Sequence, residues 1–275
     1  MMRPIMLVVT GLCLAVPLAA QNTTPDFLRH DDGPENALMA YTSRPYHPVR
    51  MGEVRASTFL TEDRVLPFGE AIGPITPEQV RSGGFPAVTE IGLAFAVRPP
   101  IGGNYRVGDT LMTVVITPGP KGWGVVVSPT GLMEVVAREA GRTATRVVAI
   151  YGPIRPGQSV LPLAYVPDPG DVDPVATPDG PAGTVIGPPK PRELLMPFGQ
   201  LFIDLGRGNG MAVGDFVQLR RQAGRGLNAA DGSDELMATG QVINVNARSS
   251  TIRLNNILAP EILPGTLVVR VATLP

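Results

Sequence analysis

Tyr105-Arg106-Val107-Gly108-Asp109 leads into Thr110-Leu111-Met112-Thr113-Val114-Val115, and further along Met211-Ala212-Val213-Gly214-Asp215 leads into Phe216-Val217-Gln218-Leu219. Three more motifs follow each start in the same order. Gly131-Leu132-Met133-Glu134-Val135-Val136 corresponds to Gly240-Gln241-Val242-Ile243-Asn244-Val245. Arg142-Thr143-Ala144-Thr145-Arg146-Val147 corresponds to Arg248-Ser249-Ser250-Thr251-Ile252-Arg253, and Ile154-Arg155-Pro156-Gly157 to Ile262-Leu263-Pro264-Gly265. The spacings agree: Gly108 to Gly131 is 23 positions and Gly214 to Gly240 is 26, while Gly131 to Gly157 is 26 and Gly240 to Gly265 is 25. A repeat this long indicates two pseudo-equivalent modules, not a solenoid array.

Each motif has a local cause. Val-Gly-Asp and Pro-Gly are turns that launch a strand, because Gly tolerates positive φ and Asp bonds the backbone two residues on. The segments behind them alternate. Val217 and Leu219 oppose Gln218 and Arg220, Ile243 and Val245 oppose Asn244 and Asn246, and Ile252 and Leu254 oppose Thr251 and Arg253. Period two with one apolar face fits antiparallel strands. About five short strands per copy would close best into a small barrel, which removes exposed edges. The expected fold class is therefore all-β: two tandem small antiparallel β-barrel-like modules joined by a Pro/Gly-rich linker.

Outside the repeats the chain divides by composition. Residues 1–20 read as a signal peptide: Met1-Met2-Arg3-Pro4, an apolar stretch from Ile5 to Val16, and a small-residue exit at Ala19-Ala20. That stretch is shorter than the ~20 apolar residues that cross a bilayer. Residues 21–47 form a polar leader. The first module with its N-terminal extension spans 48–166, the linker 167–191 and the second module 192–275. Within the extension, Val49 to Gly69 suggests one or two strands, and Thr76-Pro77-Glu78-Gln79 carries helix-start chemistry. Gln222 to Glu235 reads as a surface loop of the second copy, matched in the first by Pro118 to Thr130 with the single Trp123.

Composition narrows function. The chain has 23 Lys+Arg against 24 Asp+Glu and no basic run, whereas a nucleic-acid binder needs a basic surface. Arg220, Arg221 and Arg225, the densest basic cluster, read as strand-end charges. The single cysteine, Cys13, lies in the apolar stretch and lacks the small residue ahead of it that a lipoprotein site requires. Beyond the leader there is thus no thiolate and no Cys-ligated metal.

The candidates for chemistry are weak. His30 and His47 lie outside the repeats, and no Gly-x-Ser-x-Gly elbow exists to complete a triad. Gly206-Arg207-Gly208-Asn209-Gly210 has the look of a phosphate loop, but a strand launch follows it, and a tight β-turn is the better reading. Asp171 with Asp173, and Asp231-Gly232-Ser233-Asp234-Glu235, fall short of a calcium loop. Glu70, Glu78, Glu90 and Glu134 show no spacing that pairs two carboxylates for sugar hydrolysis. Tyr105, Trp123 and Tyr151 are candidates either for barrel core or for a carbohydrate platform.

Leu201-Phe202-Ile203-Asp204-Leu205-Gly206 through Gly214-Asp215 resembles a segment of exported bacterial proteins that carry LysM peptidoglycan-binding domains. Pro129 to Val136, Gly157 to Leu163 and Leu66-Pro67-Phe68-Gly69-Glu70 fit the same proteins, over residues 50–270 or so. The second copy is also similar to the C-terminal domain of flagellar assembly protein T. No LysM segment itself is present: Gly108-Asp109-Thr110-Leu111 matches its opening, but a strand follows instead of a helix. The resemblance implies an envelope location and a non-catalytic accessory role, and supplies no binding residues.

The expectation is a non-enzymatic, exported cell-envelope binding or scaffold protein of the periplasm or outer envelope, associated with peptidoglycan or an envelope partner protein. It carries no catalytic, cofactor or metal residues, no integral membrane segment after signal cleavage, and no role with nucleic acid. The alternatives are a structural accessory subunit of a flagellar or secretion assembly, and an enzyme with an unrecognised site.

Overall fold

The structure, a computed structural model, describes residues 49–75, 90–139, 142–191, 194–222, 235–259 and 261–275. The signal-like segment, the leader with His30 and His47, the helix start at Thr76, and residues 223–234 with Arg225 lie outside the described residues. The chain is nearly all β, as its alternation requires. Among the described residues it contains one short α-helix, α1 (Met51–Ala56), and the strands β1 (Phe59–Leu60), β2 (Gly69–Pro74), β3 (Ala94–Arg98), β4 (Thr110–Pro118), β5 (Val125–Glu139), β6 (Arg142–Ile150) and β7 (Ser159–Pro162). The second half adds β8 (Val175–Ala176), β9 (Ala182–Gly187), β10 (Gln200–Ile203), β11 (Phe216–Arg221), β12 (Glu235–Val245), β13 (Ser250–Ile257) and β14 (Leu267–Thr273).

Each half closes on itself. In the first, pairing runs β4-β5-β6-β3-β2-β7 and back to β4, with β1 added on β5. In the second it runs β11-β12-β13-β10-β9-β14 and back to β11, with β8 added on β14. The two cycles are the same when β4 is equated with β11. Three consecutive strands form a meander and a fourth returns beside the first, which is a Greek key. Each barrel therefore has six strands, one more than expected. The extra strand is β2 in the N-terminal extension and β9 within 167–191. The segment read as a linker thus supplies β8 and β9 to the second sheet. Similarly, α1 occupies part of the stretch read as strand, and β5 begins at Val125, inside the stretch read as loop.

The repeat is exact enough to recur at the level of single hydrogen bonds. Gly108 N–H donates to Val135 O and Val135 N–H to Asp109 O, both at 2.9 Å; Gly214 N–H donates to Val242 O and Val242 N–H to Asp215 O, both at 2.8 Å. Both launching glycines have positive φ, +91° and +99°, where a side chain would be strained. The aspartates cap their turns by accepting from the residue three positions back, Arg106 N–H and Ala212 N–H, not two on as expected. These bonds equate Val135 with Val242, so Gly131 corresponds to Ala238 and not to Gly240. The β-bulges agree with that register, falling at Val135/Ala137 in one copy and Val242/Asn244 in the other. A slip of two keeps every side chain on its own face, which is why the sequence pattern survives the misalignment.

The barrel interiors are filled by side chains. Ala71, Phe95, Val97, Leu111, Met133 and Val160 lead the first core, and Leu201, Ile203, Leu219, Met237, Ile252 and Leu254 the second. The alternation expected for β11 and β13 holds. In β12 the bulge intervenes: Val242 enters the core, and Ile243 is turned out of it.

Residues 50–66 belong to neither barrel. β1 extends the first sheet through Phe59↔Val127 and Leu60↔Val126. The same segment clasps the second barrel. Thr251 Oγ1 donates to Thr58 O at 2.6 Å, Asn246 Nδ2 to Leu60 O at 2.7 Å, and Arg248 N–H, Ser249 N–H and Ser249 Oγ all to Glu62 Oε1 at 2.8 Å. Arg253 pairs with Glu53 of α1. Leu60, Val126 and Phe202 close the junction as a small apolar cluster, with Trp123 and Ile186 against it.

Candidate functional site

The junction leaves a solvent-open groove of about 1370 Å³ on one side, lined by both barrels and by the clasp segment. The pseudo-equivalent turns, Gly108-Asp109 and Met211-Ala212-Val213, both contribute to it. Its floor includes Met112 and Leu161 of the first barrel and Ile243 of the second, all buried. Ile243 is there because of the β12 bulge. Above the floor stands Tyr165, which is 90% exposed.

Among the described residues, the charged side chains lining the groove are Arg55, Arg64, Arg207 and Asp109. Arg64 and Arg207 are placed on one wall by a shared neighbour. The Arg64 guanidinium lies 3.4 Å from Asn246 Oδ1, and Arg207 donates through its guanidinium to Val245 O at 3.2 Å and through its backbone N–H to Asn246 O at 2.8 Å. Asp109 is occupied by its cap to Arg106 N–H at 2.7 Å. Arg55 comes from α1 and is exposed.

The residues singled out from sequence mostly serve structure. Tyr105 is core, 3% exposed, and burial pushes its hydroxyl up to about 12. That hydroxyl lies where a Cβ on Gly69 would be, which accounts for the glycine. Tyr151 is half-buried against the Met112, Leu132 and Leu161 cluster; burial raises its hydroxyl and Arg55 partly offsets that. Trp123 sits at the junction with the Arg248 guanidinium 5.1 Å from its ring centre. None of the three is an open platform; the aromatic residues that are open, Tyr165 and Phe198, gave no signal in the sequence.

Gly206 to Gly210 forms a single 3-10 turn at Arg207–Asn209, in place of the expected β-turn. Its Arg207 and Gly208 amides are spent on Asn246 O and Ala247 O, so they are not free to hold phosphate. Glu70 pairs with Arg98 at 2.6 Å and Glu134 with Arg146 at 2.9 Å, each on the surface. In the second copy Arg253 meets Gln241 at the position equivalent to that last pair. Arg221 pairs with Glu235 at 2.9 Å and Arg220 with Gln218. Asp215 is buried, which raises its carboxyl, while the Ala212 N–H and Arg270 pull the other way. Among the described residues no group of three His, Cys, Asp or Glu side chains could hold a metal ion, and no helix is long and apolar enough to cross a membrane.

The groove was not legible in the sequence. Its residues come from α1, the first barrel, the 164–169 segment and the second barrel, and only the repeated Val-Gly-Asp turns gave a signal. Comparison with known protein families and with curated proteins finds no match to the chain.

Proposed function

We propose that this chain is a non-catalytic, exported binding protein of the bacterial cell envelope, with the inter-barrel groove as its contact surface. The observation that carries this reading is the groove itself: two closed barrels, clasped by one segment, present an open trough lined by three arginines and one carboxylate that is already capped. General acid–base work needs groups poised to exchange protons, and the groove's charged side chains offer no such pair. The signal-like residues 1–20, and the resemblance to LysM-associated proteins, support export and an association with peptidoglycan or an envelope partner.

The test is co-sedimentation of the exported protein, residues 21–275, with purified cell-wall sacculi. We expect the protein in the pellet. If it stays in the supernatant, direct wall binding is wrong and an envelope protein becomes the partner to seek.

A second reading, an accessory subunit of a flagellar or secretion assembly, is favoured by a different feature. Leu194, Met196 and Phe198 are exposed, forming an apolar ridge ahead of β10. Phe198 is 72% exposed and held at φ +67°, in the third position of a turn closed by Gly199 N–H to Met196 O at 2.9 Å. A left-handed backbone costs a side chain ~1–2 kcal/mol, and little packing offsets it here beyond the Arg253 guanidinium 6.0 Å from the ring. Phe198→Gly is therefore expected to unfold in urea at the same concentration as the parent or higher. A loss above about 1 kcal/mol would show that the ring serves the fold and not a partner.

A further inference from the structure

We infer that the groove takes an anionic glycan, a sugar strand bearing carboxylates, and that Arg55, Arg64 and Arg207 are its reading residues. This rests on the groove being the binding surface. Among the described side chains that line the groove, three are guanidiniums and one is a carboxylate, and that carboxylate is engaged by its own turn. Planar guanidinium forks match carboxylates bidentately, which a point-charge lysine does not. Charges of one sign gathered in a cleft with low-dielectric walls focus their field on a ligand there. Arg55 is exposed in the last turn of α1, with its charge felt at Tyr151, and Arg64 and Arg207 are held mainly through backbone carbonyls and one amide. All three keep donors for a guest.

The size and the remaining chemistry point to a chain of sugars. About 1370 Å³ exceeds the ~300–1,000 Å³ of pockets built for one small molecule, and the trough is open to solvent. The apolar floor of Met112, Leu161 and Ile243 and the standing ring of Tyr165 suit the apolar faces of sugar rings. Asn244 and Thr110 line the same trough and supply donors and acceptors for hydroxyls. The carboxylates could sit on the stem peptides of a cell wall or on the sugars themselves, as in a polyuronate.

The exported chain is assayed against purified sacculi, soluble polygalacturonate and neutral dextran, beside two variants. The triple substitution Arg55→Gln, Arg64→Gln, Arg207→Gln is placed at exposed side chains, and its thermal melt checks the fold. Asp109→Asn keeps the cap acceptor and removes the opposing charge. We expect binding to sacculi or to polygalacturonate but not to dextran, weakened about tenfold or more in the triple variant and strengthened in Asp109→Asn. Rising salt should weaken it as the Debye length shrinks from ~10 Å at 0.1 M to ~3 Å at 1 M. Sacculi alone would place the carboxylates on stem peptides; polygalacturonate alone would place them on sugars. Sacculus binding that neither variant changes, or dextran bound as well as polygalacturonate, overturns the inference and leaves the groove-independent part of the envelope reading standing. No binding to sacculi or polygalacturonate by the parent overturns the inference together with direct wall binding, and leaves an envelope protein as the partner to seek.

Discussion

Phe202→Ala should cost about 3–5 kcal/mol and should split thermal unfolding into two transitions. The reason is where the ring sits. In β10 the neighbours Leu201 and Ile203 fill the second barrel's core, so alternation sends Phe202 to the outer face. There it is only 1% exposed, because Leu60 of the clasp and Val126 of the first barrel cover it. The equivalent position in the first barrel is Ala96, which pairs with Ala144 as Phe202 pairs with Thr251. The large side chain at one copy only supplies the apolar part of the junction, beside the hydrogen bonds of the clasp. Truncation leaves a cavity between bodies that each retain an intact core and closed sheet, so what is lost is their coupling. Calorimetry reads this directly. A core truncation such as Leu254→Ala should lower the melting temperature without separating the transitions. If Phe202→Ala behaves like Leu254→Ala, or changes nothing, the junction is not what couples the barrels.

The sequence carried the repeating parts of this architecture and concealed the joining ones. Val-Gly-Asp turns and period-two strands are local features, and they recur, so two copies could be recognised. β9 was hidden because it looks like linker: Ala182-Gly183-Thr184-Val185-Ile186-Gly187 lies among prolines and has glycine at a strand position. The structure supplies the reason for Gly183, since a Cβ there would run into the Asp204 carboxylate and the Leu205 side chain. Ile243 shows a second limit. Alternation alone puts it in the core with Val245, and only the bulge, set by pairing with β13, turns it to the groove. The clasp was least visible of all. Glu62 reads as one more acidic surface residue, and nothing within the clasp segment reports that its partners lie more than 180 positions away. The candidate groove shares that character, being assembled from short stretches scattered from Met51 to Pro275.

Glu62→Ala should destabilise the protein by about 3 kcal/mol, and the loss should depend on pH in a way that identifies the carboxylate. Glu62 Oε1 accepts from the Arg248 and Ser249 amides and from the Ser249 hydroxyl, each at 2.8 Å, and the residue is 7% exposed. Removing it strands three donors at the junction. The side chain is aimed by a costly backbone: Glu62 and Asp63 are both left-handed, at φ +54° and +62°, in a turn closed by Arg64 N–H to Thr61 O. Such strain persists where the surroundings over-determine it, and the clasp does so here. Burial by itself would raise the carboxyl, but the bonds from Arg248 and Ser249, with the Arg64 charge, outweigh it and hold the group below its ordinary value of 4.5. A carboxyl depressed in the folded state stabilises it fully above that ordinary value, and the contribution fades as pH falls through the depressed one. The parent should therefore exceed Glu62→Gln in stability by about 1–2 kcal/mol near neutral pH, since an amide oxygen accepts the same bonds more weakly. Below pH 4.5 the two denaturation curves should converge, because protonation turns the parent's carboxylate into a neutral group like the amide. Carboxylates elsewhere titrate equally in both proteins and cancel in the difference. A gap that stays constant from neutral to acid would mean that the clasp holds Glu62 by shape and not by charge.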